Sequence, residues 1–269
     1  FTEAVNGKAK ASRTDFQASE DDNVIVQGVT SNKGAIGYFG YDLARRLERL
    51  PALAEDAERI PEMAVGLYDW AVVVDHRERK SWLVGQGRDP ETDLKWKSLV
   101  ERFSSPPPEK ARAPFRILSP VASNLTHDAY ARAFRRIRGY IHDGDCYQVN
   151  LAQRFSAAAS GDPWLAYQRL RIINPAPFSA YFSTPYAQIL SASPERFLKD
   201  ESGRVETRPI KGTRPRAGHA RLDAELIEAL RASEKDKAEN LIIVDLLRND
   251  LSKSCAPGTV KVPKLFEVE

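Results

Sequence analysis

The stretch FSAYFSTPYAQILSASPERFLKDESGRVETR (residues 178–208) contains four short strand-like runs that are separated by turn residues. These runs cover residues 178–183, 188–192, 196–199 and 204–208. Short runs with apolar residues, bounded by Pro, Ser, Asp and Gly, are typical of neighbouring antiparallel strands. We therefore predict an antiparallel meander in the middle of the chain.

Helical patterns lie on both sides of this meander. Thr126 can cap a helix whose apolar residues recur at intervals of three and four and which stops at Gly144. Asp-Pro opens a second helix over residues 163–172, and the capping pattern at residues 233–236 opens a third. Because helices and strands come in blocks without strict alternation, we predict an α+β fold, with antiparallel sheets and helices packed outside.

Two further stretches predict strands. Apolar runs at residues 67–75 and 81–85 flank the charged turn at 76–80, which is a hairpin pattern. Apolar and polar residues alternate over residues 147–155, so that Gln148 faces away from its apolar neighbours if the run is extended.

The proline-rich run at residues 104–114 is the clearest boundary in the sequence. Proline fixes φ and removes a hydrogen-bond donor, so this run is expected to be a linker or an exposed loop. It divides the chain into an N-terminal α+β portion, residues 1–103, and a second portion, residues 115–269.

Composition excludes several classes of protein. The 269 residues carry a net charge of only +3 and two cysteines, which gives little reason to expect a nucleic-acid partner or a disulfide scaffold. The sequence has no apolar run of the ~20 residues that span a bilayer, and residues 1–10 lack the apolar centre of a secretory signal. We therefore expect a cytoplasmic protein without a membrane or nucleic-acid partner.

Lys211 and Glu195, sixteen residues apart, form the most informative pair of titratable side chains. Lys211 lies between Ile210 and Gly212, and partial desolvation lowers the pKa of an amine and frees its lone pair for attack. A turn lysine with one surface ion pair fits the same spacing. A general acid needs a raised pKa, whereas an ion pair with a neighbouring arginine lowers that of a carboxyl, so the role of Glu195 beside Arg196 stays open.

Asp236 and Glu239 lie three residues apart, on one face of the third predicted helix. Magnesium takes one or two protein carboxylates and leaves its other positions to water and substrate, so this pair is a candidate metal site. An ordinary charged helix face fits the same residues. Four arginines between residues 132 and 138 are likewise typical of a solvated helix face.

Four ordered motifs resemble the chorismate-utilising enzyme family. They are GDCYQVNL (residues 144–151), SPERF (193–197), PIKGTRPR (209–216), and AEN with VDLLRNDL (238–240 and 244–251). The resemblance runs from about residue 125 to the end of the chain, and GYFGYD (37–42) resembles the family's N-terminal portion. It implies the family's α+β two-sheet sandwich, covered here in part, and a Mg²⁺ cofactor.

Two positions narrow what this resemblance implies. Family members that activate water carry a lysine where this chain has Gln148, and members that form anthranilate usually carry alanine where it has Lys211. The resemblance thus implies amination of chorismate at C4, with anthranilate formation as the alternative.

The resemblance also implies roles for individual residues. Lys211 would be the nucleophile and Glu195 the general acid, while Glu239, helped by Asp236, would hold Mg²⁺. The residues expected to contact the substrate are Thr213, Gln148 and Gly212. Ammonia would come from a separate glutamine amidotransferase subunit, because the sequence has no glutaminase motif.

Family members continue beyond the position of Glu269, with a late histidine and further metal-binding glutamates. We therefore expect little turnover from these 269 residues alone and activity from a longer polypeptide that carries them. The competing hypothesis is a non-catalytic fragment that only docks an amidotransferase.

Overall fold

The structure is a computed structural model that describes residues 34–51, 55–105 and 111–268. The chain divides into two compact units, the first formed by Phe1–Ala113 and Ala180–Leu190 and the second by Pro114–Ser179 and Ser191–Glu269. Residues 1–10, and residues 106–110 of the expected linker, lie outside the described residues. The division at residues 104–114 stays a prediction.

The first unit combines two antiparallel ladders with a long helix. Its elements are β1 (Ala35–Phe39), a 3₁₀ turn (Tyr41–Leu43), α1 (Ala44–Leu47), β2 (Met63–Leu67), β3 (Trp70–Asp75), β4 (Lys80–Gly85) and α2 (Pro90–Ser104). β1 pairs with β2, and β3 pairs with β4. The predicted hairpin is therefore confirmed, with a first strand that begins three residues later than expected. The Asp75 carboxylate closes its turn by accepting the N–H groups of Arg77 and Glu78, both at 2.9 Å.

The second unit contains four helices and several short strands. Its elements are β5 (Arg116–Ile117), β6 (Ala122–Ser123), α3 (His127–Asp143), β7 (Phe155–Ser156), β8 (Ala159–Ser160), α4 (Pro163–Ile173), β11 (Lys199–Glu201), β12 (Arg204–Glu206), α5 (Ala220–Ala232) and α6 (Glu234–Ser252). β5 pairs with β8, β6 with β7, and β11 with β12, each pair antiparallel. Strands β9 (Phe178–Ser183) and β10 (Gln188–Ser193) pair with each other and contribute residues to both units. The predicted α+β class with antiparallel sheets is confirmed.

The helix ends follow the capping residues of the sequence. Thr126 Oγ1 accepts the Ala129 N–H at 3.2 Å, and Gly144 ends α3 in the left-handed region at φ +83°. Asp162 caps α4 by accepting the Trp164 N–H. Ser233 caps α6 by accepting the Asp236 N–H at 3.4 Å. The three predicted helices are thus confirmed.

The predicted strand over residues 147–155 is wrong for all but its last residue. Only Phe155 belongs to a strand, and Arg154 is held by Asn124, whose carboxamide oxygen accepts the Arg154 N–H at 2.9 Å. Alternation of polar and apolar residues gives an extended chain, but a strand also needs a partner edge. In the part of the chain that the structure describes, residues 147–153 belong to no strand pair, and the Arg154 carbonyl accepts the Asn124 N–H at 3.0 Å, just beyond β6.

The predicted meander forms as two separate pairs of strands, because the run at residues 196–199 is extended only at Lys199. The reason is local: the Thr207 hydroxyl donates to the Phe197 carbonyl at 2.7 Å and the Arg196 side chain pairs with Glu206. The first of these contacts occupies the Phe197 carbonyl, a backbone group that a ladder at this point would use.

Apolar burial is modest among the described residues. Ala64 and Leu99 are buried in the first unit and Tyr167 in the second, and no large side chain in the described ranges is fully buried. Phe134 and Ile141 of α3 are exposed by 49% and 42%, although they lie on its apolar stripe. None of the described helices is long and apolar enough to cross a membrane.

The cap of α3 can be tested directly. Replacing Thr126 with Ala removes the acceptor for the Ala129 N–H and should lower the free energy of unfolding by about 1 kcal/mol. Urea unfolding followed by circular dichroism measures the change. Thr126→Ser keeps the hydroxyl and should restore most of the loss, whereas equal stability of the Ala variant and the unaltered protein would contradict the cap.

Candidate active site

Lys211 lies in an irregular segment, residues 207–219, that connects β12 to α5. Its side chain is half-buried, and among residues 34–51, 55–105 and 111–268 it makes no ion pair. The surface ion pair expected of a purely structural lysine is therefore not found there. An amine in this setting is available to a ligand.

Glu195 is brought to the same place from the end of β10. The Ser193 hydroxyl donates to the Glu195 carbonyl at 3.1 Å and accepts the Glu195 N–H at 3.4 Å, which forms a tight turn after the strand. The Glu195 carboxylate oxygen Oε1 then accepts the backbone N–H of Ile210 at 3.2 Å. The structure thus places the carboxyl beside the residue that precedes Lys211.

Arg196 does not pair with Glu195. Its guanidinium donates to Glu206 Oε1 at 2.8 Å and lies over the Phe178 ring, 5.3 Å from its centre. Hydrogen bonds from Arg208, together with the charge of Arg196, hold the pKa of Glu206 below its ordinary value. The interpretation of Glu195 as the salt-bridge partner of its neighbour is therefore not supported.

Gly212 packs directly against the first turn of α6. Its φ of +74° lies in the left-handed region, which favours glycine. A Cβ at this position would lie 2.8 Å from the Cβ and Cγ atoms of Asp236 and 3.0 Å from Leu230 Cδ1. Close approach of the Lys211 segment to the helix therefore requires the glycine.

Two arginines fasten the rest of the segment to α5 and α6. Arg214 donates to Asp236 Oδ2 at 2.9 Å and to the Thr213 carbonyl at 2.9 Å. Arg216 donates to Asp223 Oδ2 at 2.8 Å, and Asp223 Oδ1 also accepts the Ala217 N–H. Sequence reasoning missed Arg214, Arg216 and Asp223. The only available signal was the Arg-Pro-Arg spacing, which predicts two cations but not their partners.

The two carboxylates that bind these arginines, Asp223 and Asp236, have pKa values below the ordinary one. Hydrogen bonds from Ser233 and then Arg214 lower the pKa of Asp236, and hydrogen bonds from Arg216 and the Ala217 N–H lower that of Asp223.

A magnesium ion fits the predicted residues in part. Asp236 already accepts Arg214, whereas Glu239, one turn further along α6, is exposed and makes no ion pair within the described ranges. Within those ranges no group of three His, Cys, Asp or Glu side chains converges on one point. One free carboxylate is compatible with Mg²⁺, which takes most of its ligands from water and substrate.

The other two residues predicted to contact the substrate, Thr213 and Gln148, make fewer contacts with the group formed by Glu195 and Lys211. The Thr213 side chain is exposed one residue beyond Gly212, so it borders the same segment. Gln148 is half-buried just after the end of α3, and no hydrogen bond joins it to Glu195 or Lys211 in the part of the chain described. The structure therefore groups Glu195, Lys211 and Gly212 with Asp236, but not with Gln148.

Comparisons with known proteins agree with the sequence motifs. The family model described as chorismate binding enzyme matches residues 3–269. Aminodeoxychorismate synthase component 1 of Salmonella typhimurium is 46% identical over 94% of this chain and 53% of its own length. The protein of the same name from Klebsiella aerogenes is 48% identical over 88% of this chain and 51% of its own length.

A solved structure has the same fold. Anthranilate synthase component I from Streptococcus pneumoniae superposes with a TM-score of 0.74 and 29% identity, covering 87% of this chain and 53% of that one. This likeness supports the predicted family fold. The chain spans about half the length of the relatives that it matches. With the family model matched over nearly every residue, the chain belongs to the chorismate binding enzyme family.

Proposed function

We propose that this chain supplies the chorismate-converting site of an aminodeoxychorismate synthase component I. That enzyme forms 4-amino-4-deoxychorismate, the precursor of p-aminobenzoate in folate synthesis. The observation that carries the proposal is the hydrogen bond from the Ile210 N–H to the Glu195 carboxylate, 3.2 Å long, which joins an acid to the segment that carries Lys211. The names of relatives at 46% and 48% identity give further support.

The first step is a substitution in which Lys211 is the nucleophile. Its neutral amine forms a bond to C2 of chorismate, both ring double bonds shift by one position towards C4, and the C4–O bond breaks. Glu195 gives its proton to the departing hydroxyl, which leaves as water, and the lysine nitrogen loses a proton. A covalent intermediate divides one difficult substitution into two easier ones.

The second step releases the lysine. Ammonia forms a bond to C4, both ring double bonds shift back, and the bond between C2 and the Lys211 nitrogen breaks. The proton that the incoming nitrogen loses goes to the lysine nitrogen, which leaves as the free amine, so that one water is exchanged for one ammonia overall. We propose that the ammonia comes from a separate glutamine amidotransferase subunit.

Magnesium completes the proposed site. When bound, Mg²⁺ neutralises and orients the substrate carboxylate. Glu239 is the residue proposed to hold it, since its carboxylate is exposed and makes no ion pair within the described ranges. Thr213, Gly212 and Gln148 are proposed to contact the substrate.

Anthranilate synthesis is the second candidate function, favoured by the TM-score of 0.74 to an anthranilate synthase component I. The two reactions differ in their products. Anthranilate formation also releases pyruvate, whereas the proposed reaction keeps the enolpyruvyl group on the ring. Chromatography of the products formed from chorismate, Mg²⁺ and an ammonium salt separates the two.

The role of Lys211 can be tested directly. Lys211→Ala should lower the rate of 4-amino-4-deoxychorismate formation by at least about 100-fold, because the covalent route is lost. Intact-protein mass spectrometry with chorismate and no ammonia should reveal an adduct on the unaltered protein and none on the variant. Lys199→Ala, which removes a surface lysine paired with Glu201 at 2.6 Å, is the matched control. An unchanged rate and product for Lys211→Ala would refute the nucleophile.

The role of Glu195 predicts a different pattern. Glu195→Gln keeps an oxygen that accepts the Ile210 N–H but has no proton to transfer, so the rate should fall about 10²–10⁴-fold. Chorismate binding, measured by calorimetry, should change little. The exposed Glu201→Gln is the control. A variant that turns over normally would show that Glu195 only holds the backbone in place.

A further inference from the structure

Three carboxylates from three different elements hold the segment that carries Lys211. Glu195 binds the Ile210 N–H, Asp236 binds the Arg214 side chain, and Asp223 binds Arg216 and the Ala217 N–H. The segment itself belongs to no helix and to no strand. Its conformation therefore depends on these side-chain contacts.

Both the backbone and the side chain of Asp236 are held by hydrogen bonds. The Asp236 N–H donates to the Ser233 hydroxyl that caps α6, and its carboxylate binds the guanidinium of Arg214. The side chains of the ion pair are exposed by only 16% for Asp236 and 33% for Arg214. Ion pairs that are partly removed from water are less screened than exposed ones, so this pair is a firmer anchor than a surface contact.

Two contacts connect Asp236 to the backbone close to Lys211. Arg214 also donates to the Thr213 carbonyl at 2.9 Å, so one guanidinium bridges the helix and the backbone two residues from the lysine. Gly212, adjacent to Lys211, packs against the Cβ and Cγ atoms of Asp236. Asp236 is thereby in contact with the segment on both sides of Thr213.

We propose that Asp236 is a positioning residue for Lys211, acting through Arg214 and Gly212, and that Glu239 alone is the magnesium ligand on this helix. The inference rests on the proposed function for the identity of the nucleophile and for the magnesium ion. A cation entering at Asp236 would have to share the carboxylate with the guanidinium of Arg214, whose positive charge repels it. Glu239 has no such competitor within the described ranges.

The experiment compares Asp236→Asn with Glu239→Gln in the purified protein. Displacement of a reacting group by about 1 Å costs roughly 100-fold in rate, so Asp236→Asn should lower kcat by about that factor. KM for chorismate and the half-saturating Mg²⁺ concentration should each change by less than about twofold, because this substitution removes no group proposed to bind chorismate or Mg²⁺. Glu239→Gln should instead raise the half-saturating Mg²⁺ concentration by about tenfold or more.

Hydrogen exchange separates positioning from metal binding without reference to activity. Asp236→Asn should remove protection from amides in residues 207–218, whereas Glu239→Gln should leave it unchanged. In a calorimetric titration with Mg²⁺ alone, Glu239→Gln should weaken Mg²⁺ binding, whereas Asp236→Asn should leave it unchanged. These measurements test whether Asp236 holds residues 207–218 in place, and they do not depend on activity. They would stand even if Lys211→Ala retained full activity and refuted the proposed function.

Two further variants complete the test. Arg214→Ala should reproduce the effect of Asp236→Asn, and the double variant should be no worse than either single one, because both break the same contact. Glu228→Gln breaks an exposed ion pair of the same chemistry on α5, where Arg231 Nη1 lies 2.7 Å from Glu228 Oε1, and should change kcat less than about twofold.

Either of two results would overturn the inference. If Asp236→Asn weakens Mg²⁺ binding as much as Glu239→Gln does and leaves exchange in residues 207–218 unaltered, Asp236 is a metal ligand. Strictly additive effects of Arg214→Ala and Asp236→Asn would likewise show that the two residues do not act together.

Discussion

The hydrogen bond from the Ile210 N–H to the Glu195 carboxylate is the contact on which the site depends. A segment that forms neither helix nor strand must satisfy its backbone groups in some other way. Here the Glu195 side chain, just after β10, does so, and the same bond places the proposed acid beside the residue that precedes the proposed nucleophile. In the proposed function, one carboxyl group therefore supports the backbone and transfers the proton.

The charges near the site are arranged in opposed pairs. Arg196 is neutralised by Glu206, Arg214 by Asp236, and Arg216 by Asp223. Lys211 makes no ion pair within the ranges that the structure describes. Since these arginines are already compensated, Lys211 is the side chain of the segment that the proposed function assigns to the substrate. The pairing of Arg214 and Arg216 thus holds the segment and keeps their charges away from the proposed role of Lys211.

Sequence patterns predicted those parts of the molecule that depend on local chemistry. Thr126 and Gly144 mark the ends of α3 because capping is decided within one turn of a helix. The pairing of strands depends on partners far away in the sequence, which is why the expected strand at residues 147–155 was mostly wrong. No pattern within SPERF could have shown that Arg196 turns to Glu206, ten residues on, and leaves Glu195 to the backbone.

The junction between α5 and α6 contains no loop, because Ser233 is at once the last cap of one helix and the first cap of the other. The stretch from Asp223 to Asp236 is therefore a spacer of fixed length between the two carboxylates that hold the arginines. One residue inserted into α5 would rotate the carboxylates by about 100° relative to each other, and no flexible connection could absorb the turn. Substitutions on the outer faces of these helices leave that spacing intact, whereas a change in their length does not.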